Sequence, residues 1–543
     1  MKPHTDRYRY LLGGLSVPPE ASDGEILKLA SDRMKRAGIS PQSLHFRLYK
    51  QSVDARRRER IRLVCTVLLE AADALPEAVC RKLNLRLLPE PETDAPRGTQ
   101  RLGAPPLVVG MGPAGMFAAL LLAQNGYAPV VIDRGGDIAD RTAAVERFRR
   151  DGRLDPECNI QFGAGGAGTF SDGKLVTRIH DPRCQLVLRT LRQFGAPEEI
   201  LTLAKPHIGT DLLRVVVSDL LEEIERLGGR LLYRCRMTDF TERPDGTLSV
   251  RTTRGELQAG ALILAVGHSA RDTYVRLLEK NYAVEPKPIS VGFRAEHLQS
   301  DIDAALYGAY AGHPRLGHAE YQLSDTSRAR GVYTFCMCPG GEVVAAASEQ
   351  GGLVVNGMSN HARDGRNANA AVLASVGVSD YEPVNGSLAL GAIAFQRGIE
   401  QAAFRTGGAD YCAPVMTVGD FLGGRSGSEP GRVQPSYREG QVRLADLAAL
   451  YPAPIAEALR YALHSFGQKL PGYDAPGALL TAAETRTSAP LRILRCPERY
   501  TAAGHDRVYP CGEGAGYAGG ITSAAVDGIR IAQALMSRFA PEA

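Results

Sequence analysis

The chain has 543 residues, a formal net charge of +4, 59 glycines and ten cysteines. That length exceeds one ordinary core and predicts two or three domains, while the near balance of charge argues against a chain built for nucleic acid or an anionic membrane surface. No run of about 18 apolar residues offers a membrane span, and Met1-Lys-Pro-His-Thr-Asp-Arg-Tyr8 has no apolar stretch for a signal peptide. The cysteines are scattered without a CxxC pair, which fits neither a disulfide framework nor a zinc module, so no metal is expected and the cytoplasm is the expected location.

Residues 1–88 read as a small α+β unit. Tyr8 to Val17 forms one predicted strand. Ser22-x-x-Glu25 is a capping box ahead of a helix that carries Leu27, Ala30 and Met34 and ends near Gly38. His45 to Val53 is a second strand, and Ile61, Leu63, Cys65, Val67 and Leu69 alternate with other residues as a half-buried strand does. The intervening Arg56-Arg-Arg-Glu-Arg60 is read as a solvated hairpin tip, with a phosphate-binding or partner-binding edge as the competing reading. Residues 89–104, rich in Pro, Thr, Asp and Gly, form a linker.

Next comes the stretch that organises the chain. Leu107-Val-Val runs into Gly110-Met-Gly112-Pro113-Ala114-Gly115, then a buried helix to Gln124, a stop at Gly126, and the apolar run Pro129-Val-Val-Ile-Asp133. Strand, glycine turn, helix, strand and carboxylate, in that order, form a dinucleotide-binding βαβ unit. The first glycine makes the tight turn, the second lets backbone approach a pyrophosphate, and the third lets helix and strand pack closely. Asp133 follows Gly110 at about the 20-residue spacing that puts a carboxylate on ribose hydroxyls.

An arginine-rich helix over roughly 137–150 leads into Asn159-Ile-Gln-Phe-Gly-Ala-Gly165-Gly166-Ala-Gly-Thr169-Phe-Ser171-Asp-Gly173-Lys174. So many glycines cannot form a stable helix or strand interior, and they suit a backbone lying against a flat or anionic ligand. Leu212 to Leu227 is an amphipathic helix, followed by strands over 230–236, 239–243 and 247–253. A buried strand, Ala261 to Ala265, ends on Gly267. Residues 105–285 are therefore the first part of a cofactor domain, 286–480 an inserted mixed α+β substrate domain, and 481–543 the cofactor domain's closing part. The insert holds no second strand-GxGxxG-helix unit, so a second resident dinucleotide is not expected. The chain closes on Val508-Tyr-Pro-Cys-Gly512-Glu513-Gly-Ala-Gly-Tyr517-Ala-Gly519-Gly520-Ile521 and a helix whose N-terminal amides face a second electron-rich ligand site.

Four segments carry a family resemblance: Gly163 to Lys174, Phe335-Cys-Met-Cys-Pro-Gly-Gly341, Glu484-Thr-Arg486-Thr-Ser488 and Gly512 to Ile521. Together the pieces resemble the flavoprotein fold of the glutathione reductase-like superfamily. Within it they resemble the bacterial family known as uncharacterised FAD-dependent dehydrogenases, from about Pro105 to the C-terminus and in the small N-terminal domain. The resemblance implies FAD, a Rossmann-like FAD-binding domain, and an unsettled reaction. It places Gly110, Gly112, Pro113, Ala114 and Gly115 at the pyrophosphate, Asp133 at the adenosine ribose, and Arg134 beside the adenine. Met237, Ala265 and Gly267 would line that same end. Gly165, Gly166, Thr169, Ser171, Gly173 and Lys174 would run past the diphosphate toward the isoalloxazine, with Gly512 and Glu513 near the ribityl and phosphate. Gly519, Gly520 and Ile521 would aim amides at flavin N1 and O2, where a positive helix end favours reduced flavin.

For chemistry, Lys174 is a candidate to neutralise phosphate or approach flavin N5, and Glu484 with Arg486 to form a carboxylate–guanidinium pair that orients a polar substrate. Cys336-x-Cys338 is open to a redox-disulfide reading, against a packed β-turn. His207 and His268 read as capping or polar packing residues, and Tyr517 as a flavin stack or cover. The expected function is hydride transfer between flavin N5 and a small organic substrate by an FAD-dependent dehydrogenase. NAD(P)H, if used, visits transiently; the electron donor and the assembly state are not legible. The alternatives are a flavin monooxygenase, against which Gly-Glu-Gly replaces a Gly-Asp-x5-Pro run, or a non-catalytic redox-responsive flavoprotein that binds a protein or RNA.

Overall fold

The computed structural model describes residues 8–88 and 97–541. The N-terminal unit contains β1 (Tyr8–Val17), α1 (Asp23–Arg36), β2 (Leu44–Asp54), β3 (Arg62–Ala71), α2 (Glu77–Leu83) and β4 (Arg86–Leu87), with an antiparallel sheet in the order β2-β3-β1-β4. Ser22 and Glu25 close a reciprocal capping box at the start of α1. Ile26, Ala30 and Met34 of α1 pack on Leu63, Cys65, Val67 and Leu69 of β3. Residues 56–60 are an exposed tip where Arg56 folds back on its own Asp54 at 2.6 Å. The first part of the expected linker, 89–96, lies outside the described residues. Its remainder pairs with the chain's end, Gly98 N donating to Met536 O at 2.8 Å.

The next unit runs β5 (Pro106–Val109), α3 (Pro113–Gln124), β6 (Val130–Ile132), α4 (Ile138–Asp151), α5 (Arg183–Gln193), α6 (Thr210–Arg226) and β7 (Arg230–Leu232). A meander follows, β8 (Met237–Glu242), β9 (Leu248–Thr252) and β10 (Gly255–Ala259), then β11 (Ala261–Leu264) and α7 (Arg271–Glu279). The meander forms its own three-stranded sheet, to which β10 adds a strand that periodicity alone does not predict.

The inserted region holds β12 (Val284–Pro286), β13 (Ile289–Leu298), α8 (Gln299–Tyr307), β14 (Ser324–Asp325), β15 (Val332–Cys338), β16 (Glu342–Ala345), β17 (Val355–Met358) and β18 (Asn367–Val376). It continues through α9 (Leu388–Thr406), β19 (Ala413–Thr417), α10 (Val418–Gly423), β20 (Val442–Leu444), α11 (Ala453–Lys469) and β21 (Leu479–Glu484). Its sheet has seven strands, β14-β15-β18-β13-β21-β19-β20, with β13 buried at every residue. The expected break between 480 and 481 falls inside β21, which lies between β13 and β19 and so belongs to this sheet. Leu479-Leu-Thr-Ala-Ala483 is apolar toward both faces, so its local pattern does not say which sheet receives it.

The chain returns through β22 (Leu491–Ile493), β23 (Val508–Pro510) and α12 (Ile521–Met536). β22 pairs with β12, so the chain enters and leaves the insert on adjacent antiparallel strands. β23 completes a fully parallel five-stranded sheet, β23-β11-β5-β6-β7. Its central strands are buried on both faces, as a parallel sheet under helices requires. From β5 the chain winds outward through β6 to β7, then returns to place β11 on the other side of β5. That reversal leaves a crevice at the carboxyl ends of β5 and β11, where open α/β sheets take their ligands.

Candidate functional site

The crevice is lined by the glycine turn. Gly110 has φ +106°, and a Cβ there would stand 2.2 Å from Ala265 O. A Cβ on Gly115 would stand 1.9 Å from Gly110 O, so both glycines are demanded by the protein's own packing. Gly112 differs: the nearest atom to a Cβ there is Gly166 Cα at 3.7 Å, an ordinary contact, so the protein's own packing does not demand glycine at this position. Pro113 and Ala114 begin α3 behind it, Pro113 at a position where a missing N–H costs nothing.

Asp133 is turned into this loop. Its two carboxylate oxygens accept from Met111 N at 2.9 Å and Gly135 N at 2.8 Å. The acid therefore ties the turn to β6, whatever else it touches. Arg134, expected beside adenine, lies 4.4 Å over the Phe162 ring and is paired with Glu157 and Asp272. Met237 is buried at the start of β8, close behind Cys235, whose N–H donates to Asp133 O at 2.7 Å. Ala265 N donates to Val109 O, and Gly267 (φ +74°) has open space where a Cβ would lie.

The second glycine loop lies across the first. Gly165 N donates to Met111 O at 2.8 Å, and a Cβ on Gly166 would meet Gly112 Cα at 2.8 Å. The loop is held from beneath by Arg141, which sequence reasoning passed over. Fully buried on α4, it donates to the carbonyls of Asn159 (2.9 Å), Ile160 (2.7 Å) and Ala164 (2.5 Å). Its signal, one arginine in the first half of the helix, was hidden among Arg147, Arg149 and Arg150 of the same helix. Thr169 is buried, and its carbonyl accepts from Thr210 Oγ1 at 2.9 Å. Ser171 Oγ donates to Gly168 O and accepts from Gly173 N, a local turn.

The closing segment reaches the same place from the far end of the chain. Gly512 N donates to Asp527 Oδ2 at 2.8 Å, and Asp527 is paired with Arg495 at 2.7 Å. A Cβ on Gly514 would stand 2.4 Å from Gly267 O, and one on Gly168 would stand 3.0 Å from Ile521. Gly519 and Gly520 are exposed and lead into α12, with Gly520 at φ +111°. Glu513 Oε2 accepts from Gly520 N at 3.4 Å, and burial pushes its carboxyl up to about 7 against the pull of that amide and Lys287. Tyr517 packs against the Arg495 guanidinium, 3.7 Å from its ring centroid, so its ring is covered by an arginine.

Buried charged networks tie the inserted region to the cofactor unit. Lys174 pairs with Asp172, and Asp172 also takes Arg363 at 2.6 Å. Burial works to raise the Asp172 carboxyl, but Lys174 and Arg363 outweigh it and hold it at about 2. The Lys174 ammonium is thus already neutralised and does not stand free for a phosphate. The expected Glu484–Arg486 pair is not formed. Glu484 takes Arg294 of β13 (Nε to Oε2, 2.7 Å), whereas Arg486 takes Glu400 of α9 at 2.9 Å, which also binds Arg271 at 2.8 Å. All five groups are buried, and a buried charge takes the partner that packing brings nearest, here from elements far away in sequence. His268, beside Arg486 and Arg271, is pushed down by burial to about 4 and is neutral at physiological pH. His207 Nε2 lies 3.1 Å from the His361 carbonyl. Among the described residues, no cluster of three or more His, Cys, Asp or Glu could hold a metal ion, and no helix is long and apolar enough to cross a membrane.

Two families match the chain: "FAD-dependent protein, C-terminal domain-like" over residues 288–487, and a domain of unknown function, DUF8436, over residues 14–70. An uncharacterized protein of Clostridium beijerinckii is 43% identical over 534 residues, covering 95% of this chain and 97% of that protein. Among solved structures, CtdE in complex with FAD is 10% identical, covering 80% of this chain and 84% of that one, at a TM-score of 0.31. FqzB is 12% identical, covering 81% and 76%, at 0.34. Likenesses this faint carry no argument about the fold or the reaction.

The cofactor is FAD. The residues present fit it: two glycine-led helix N-termini, those of α3 and α12, belong to segments that meet where Gly512 lies against Ala114, beside a Gly112 that the protein's own packing does not require.

Proposed function

The chain belongs to one family with the Clostridium beijerinckii protein, and from that premise we propose that it is an FAD-dependent oxidoreductase, a dehydrogenase or reductase of a small organic substrate. The observation that carries this reading is the meeting of the Gly110–Gly115 turn and the Gly512–Ile521 segment, where Gly512 lies against Ala114. Bound FAD supplies a two-electron centre at N5 that takes up and returns a hydride.

In this reading a glutathione reductase-like, Rossmann-type unit binds the nucleotide. Gly112, Ala114 and Gly115 offer backbone to the pyrophosphate, and Asp133, Arg134, Met237, Ala265 and Gly267 border the adenosine. Gly512, Glu513, Gly519, Gly520 and Ile521 close on the flavin end. The amides of α12 would offer a positive dipole end to the negative charge of reduced flavin. Lys174, paired with Asp172, holds the end of the second glycine loop in place rather than offering a free charge. Arg294 and Glu484 hold the opposing sheet face rigid, so that substrate meets a preformed surface. His268 stays neutral and supplies no charge.

Anaerobic mixing of the purified yellow protein with NADH or NADPH, followed at the flavin band near roughly 450 nm, tests the reading. Bleaching by either nicotinamide, reversed by an added acceptor, is expected. A protein that purifies without flavin and refuses added FAD would overturn it.

A further inference from the structure

The motif Phe335-Cys336-Met337-Cys338 ends β15, next to β18 in the inserted sheet. The pairing of β15 with β18 slips between Phe335 and Cys338, and at the slip Cys336 takes φ +45°. A bulge of this kind re-aims side chains, and a left-handed non-glycine residue is strained unless its surroundings impose it. Here it turns the Cys338 thiol back onto the Cys336 backbone. Cys338 Sγ lies 3.4 Å from the Cys336 carbonyl oxygen, and Arg294 Nη1 reaches both that oxygen (2.9 Å) and Cys338 Sγ (3.9 Å). Lys174 supplies a second cation beside the pair, opposed by Glu484 and Asp172. Cys338 is fully buried and Cys336 partly so.

The cluster sits close to the proposed flavin end. Lys174 is followed by Leu175, whose carbonyl accepts from Thr522 Oγ1 at 2.8 Å in the first turn of α12. A structural turn before Pro339-Gly340 needs neither two cations nor a strained cysteine. The hydrogen bond from Cys338 lowers the Cys336 thiol from its ordinary value, with Lys174 and Arg294 adding to the effect, and the same bond with burial raises Cys338. That asymmetry makes Cys336 the more acidic thiol of the two, as a working dithiol requires.

We infer that Cys336 and Cys338 form a redox-active dithiol–disulfide pair that exchanges two electrons with the flavin. The inference rests on the oxidoreductase reading above. In the reductive direction the S–S bond breaks as two electrons arrive from reduced anionic flavin. Cys336 is released as thiolate, Cys338 takes the proton given up by flavin N5, and oxidised FAD is regenerated, so charge and atoms balance. A disulfide across a single intervening residue closes a small strained ring, which makes it easy to reduce and suits a transient carrier. The class of final acceptor is a disulfide or another two-electron acceptor able to meet Cys336, the more open of the two.

The test is an anaerobic dithionite titration of the full-length, flavin-loaded protein after treatment with the thiol oxidant diamide. C336S and C338S are run alongside, and alkylated peptides are mapped by mass spectrometry before and after reduction. Wild type is expected to take up two two-electron equivalents per flavin and each variant one, with Cys336 and Cys338 becoming alkylatable only after reduction. If wild type takes up a single equivalent, or both cysteines are alkylated before reduction, the inference falls. The alkylation comparison needs no variant, so it stands even if C338S does not fold. Absence of flavin from the starting spectrum would instead defeat the oxidoreductase reading, and is seen before the titration begins.

Discussion

A Cβ placed on Gly512 would stand 2.6 Å from the Cβ of Ala114, so the closing segment lies directly on the first turn of α3. Gly528 extends the contact: a Cβ there would meet Ala114 O at 2.1 Å. Residues some four hundred positions apart in the chain thus form one wall of the crevice. Real Cβ atoms do not approach so closely, and Gly512 also has φ +74°. Gly512→Val is expected to separate the two segments, costing about 2–4 kcal/mol by overpacking and strain. The purified variant should lose FAD and melt lower. A variant that keeps stoichiometric FAD and wild-type Tm would show that the contact does not matter.

The glycines of the first turn divide by what they face. Gly115→Ala puts a methyl 1.9 Å from Gly110 O and should give insoluble or unfolded protein. Gly112→Ala meets nothing closer than 3.7 Å and should fold with a Tm near wild type, while FAD affinity falls at least tenfold. Equilibrium binding of FAD to apoprotein, with thermal melting of both variants, separates the two effects. Equal FAD affinity in Gly112→Ala and wild type would remove the pyrophosphate from that position.

The buried ion pairs explain both what the sequence concealed and how the inserted sheet is locked. Arg294→Ala leaves Glu484 buried without its partner and should cost about 3–5 kcal/mol. Arg294→Met with Glu484→Leu removes both charges and should recover most of that loss. Urea midpoints of the single and double variants measure it. Additive losses in the double variant would mean the two side chains are not coupled.

Local chemistry made the βαβ unit legible, because strand, glycine turn, helix and acid are adjacent in sequence and each has its own signature. The same is true of the Ser22–Glu25 box and of α12 behind its glycines. The pairing of Glu484 with Arg294 rather than Arg486 was not legible, since it depends on β21 joining β13 across the whole insert. Nor was β10, a polar strand that exists because β9 offers it an edge. The role of Asp133 within its own turn was obscured by its suitability for ribose: a carboxylate at that spacing can serve either, and only the backbone path shows Met111 and Gly135 amides at both oxygens.

Arg141 turns its guanidinium on four carbonyls of the second glycine loop, those of Asn159, Ile160, Gly163 and Ala164. Burial lowers it to about 10, still well charged at neutral pH. Arg141→Met preserves much of its length but none of its donors, leaving these four loop carbonyls without its hydrogen bonds. The variant is expected to fold, because the loop lies outside both sheets, but to bind FAD weakly and to be cut by protease within 159–174. Limited proteolysis read by mass spectrometry shows the site of cutting. Wild-type resistance in that segment would mean the glycine loop holds itself.

Glu513 gives a pH signature that is independent of turnover. Its carboxyl rises from an ordinary 4.5 to about 7 because burial disfavours the charged form, while the Gly520 amide and Lys287 oppose the shift. A raised carboxyl binds its proton more tightly in the folded than in the unfolded chain. Its contribution to apoprotein stability is therefore complete below pH 4.5, declines as pH climbs toward 7, and is lost above that. Glu513→Gln keeps the neutral shape at every pH. The variant should match wild-type apoprotein near pH 5 and exceed it at pH 8 by at most about 3 kcal/mol, the full value of such a shift. Denaturation midpoints at several pH values, taken as differences between the two proteins, cancel every other titrating group. If the difference stays flat from pH 5 to 8, Glu513 titrates as an ordinary solvated acid and the crevice around it is wetter than its packing indicates.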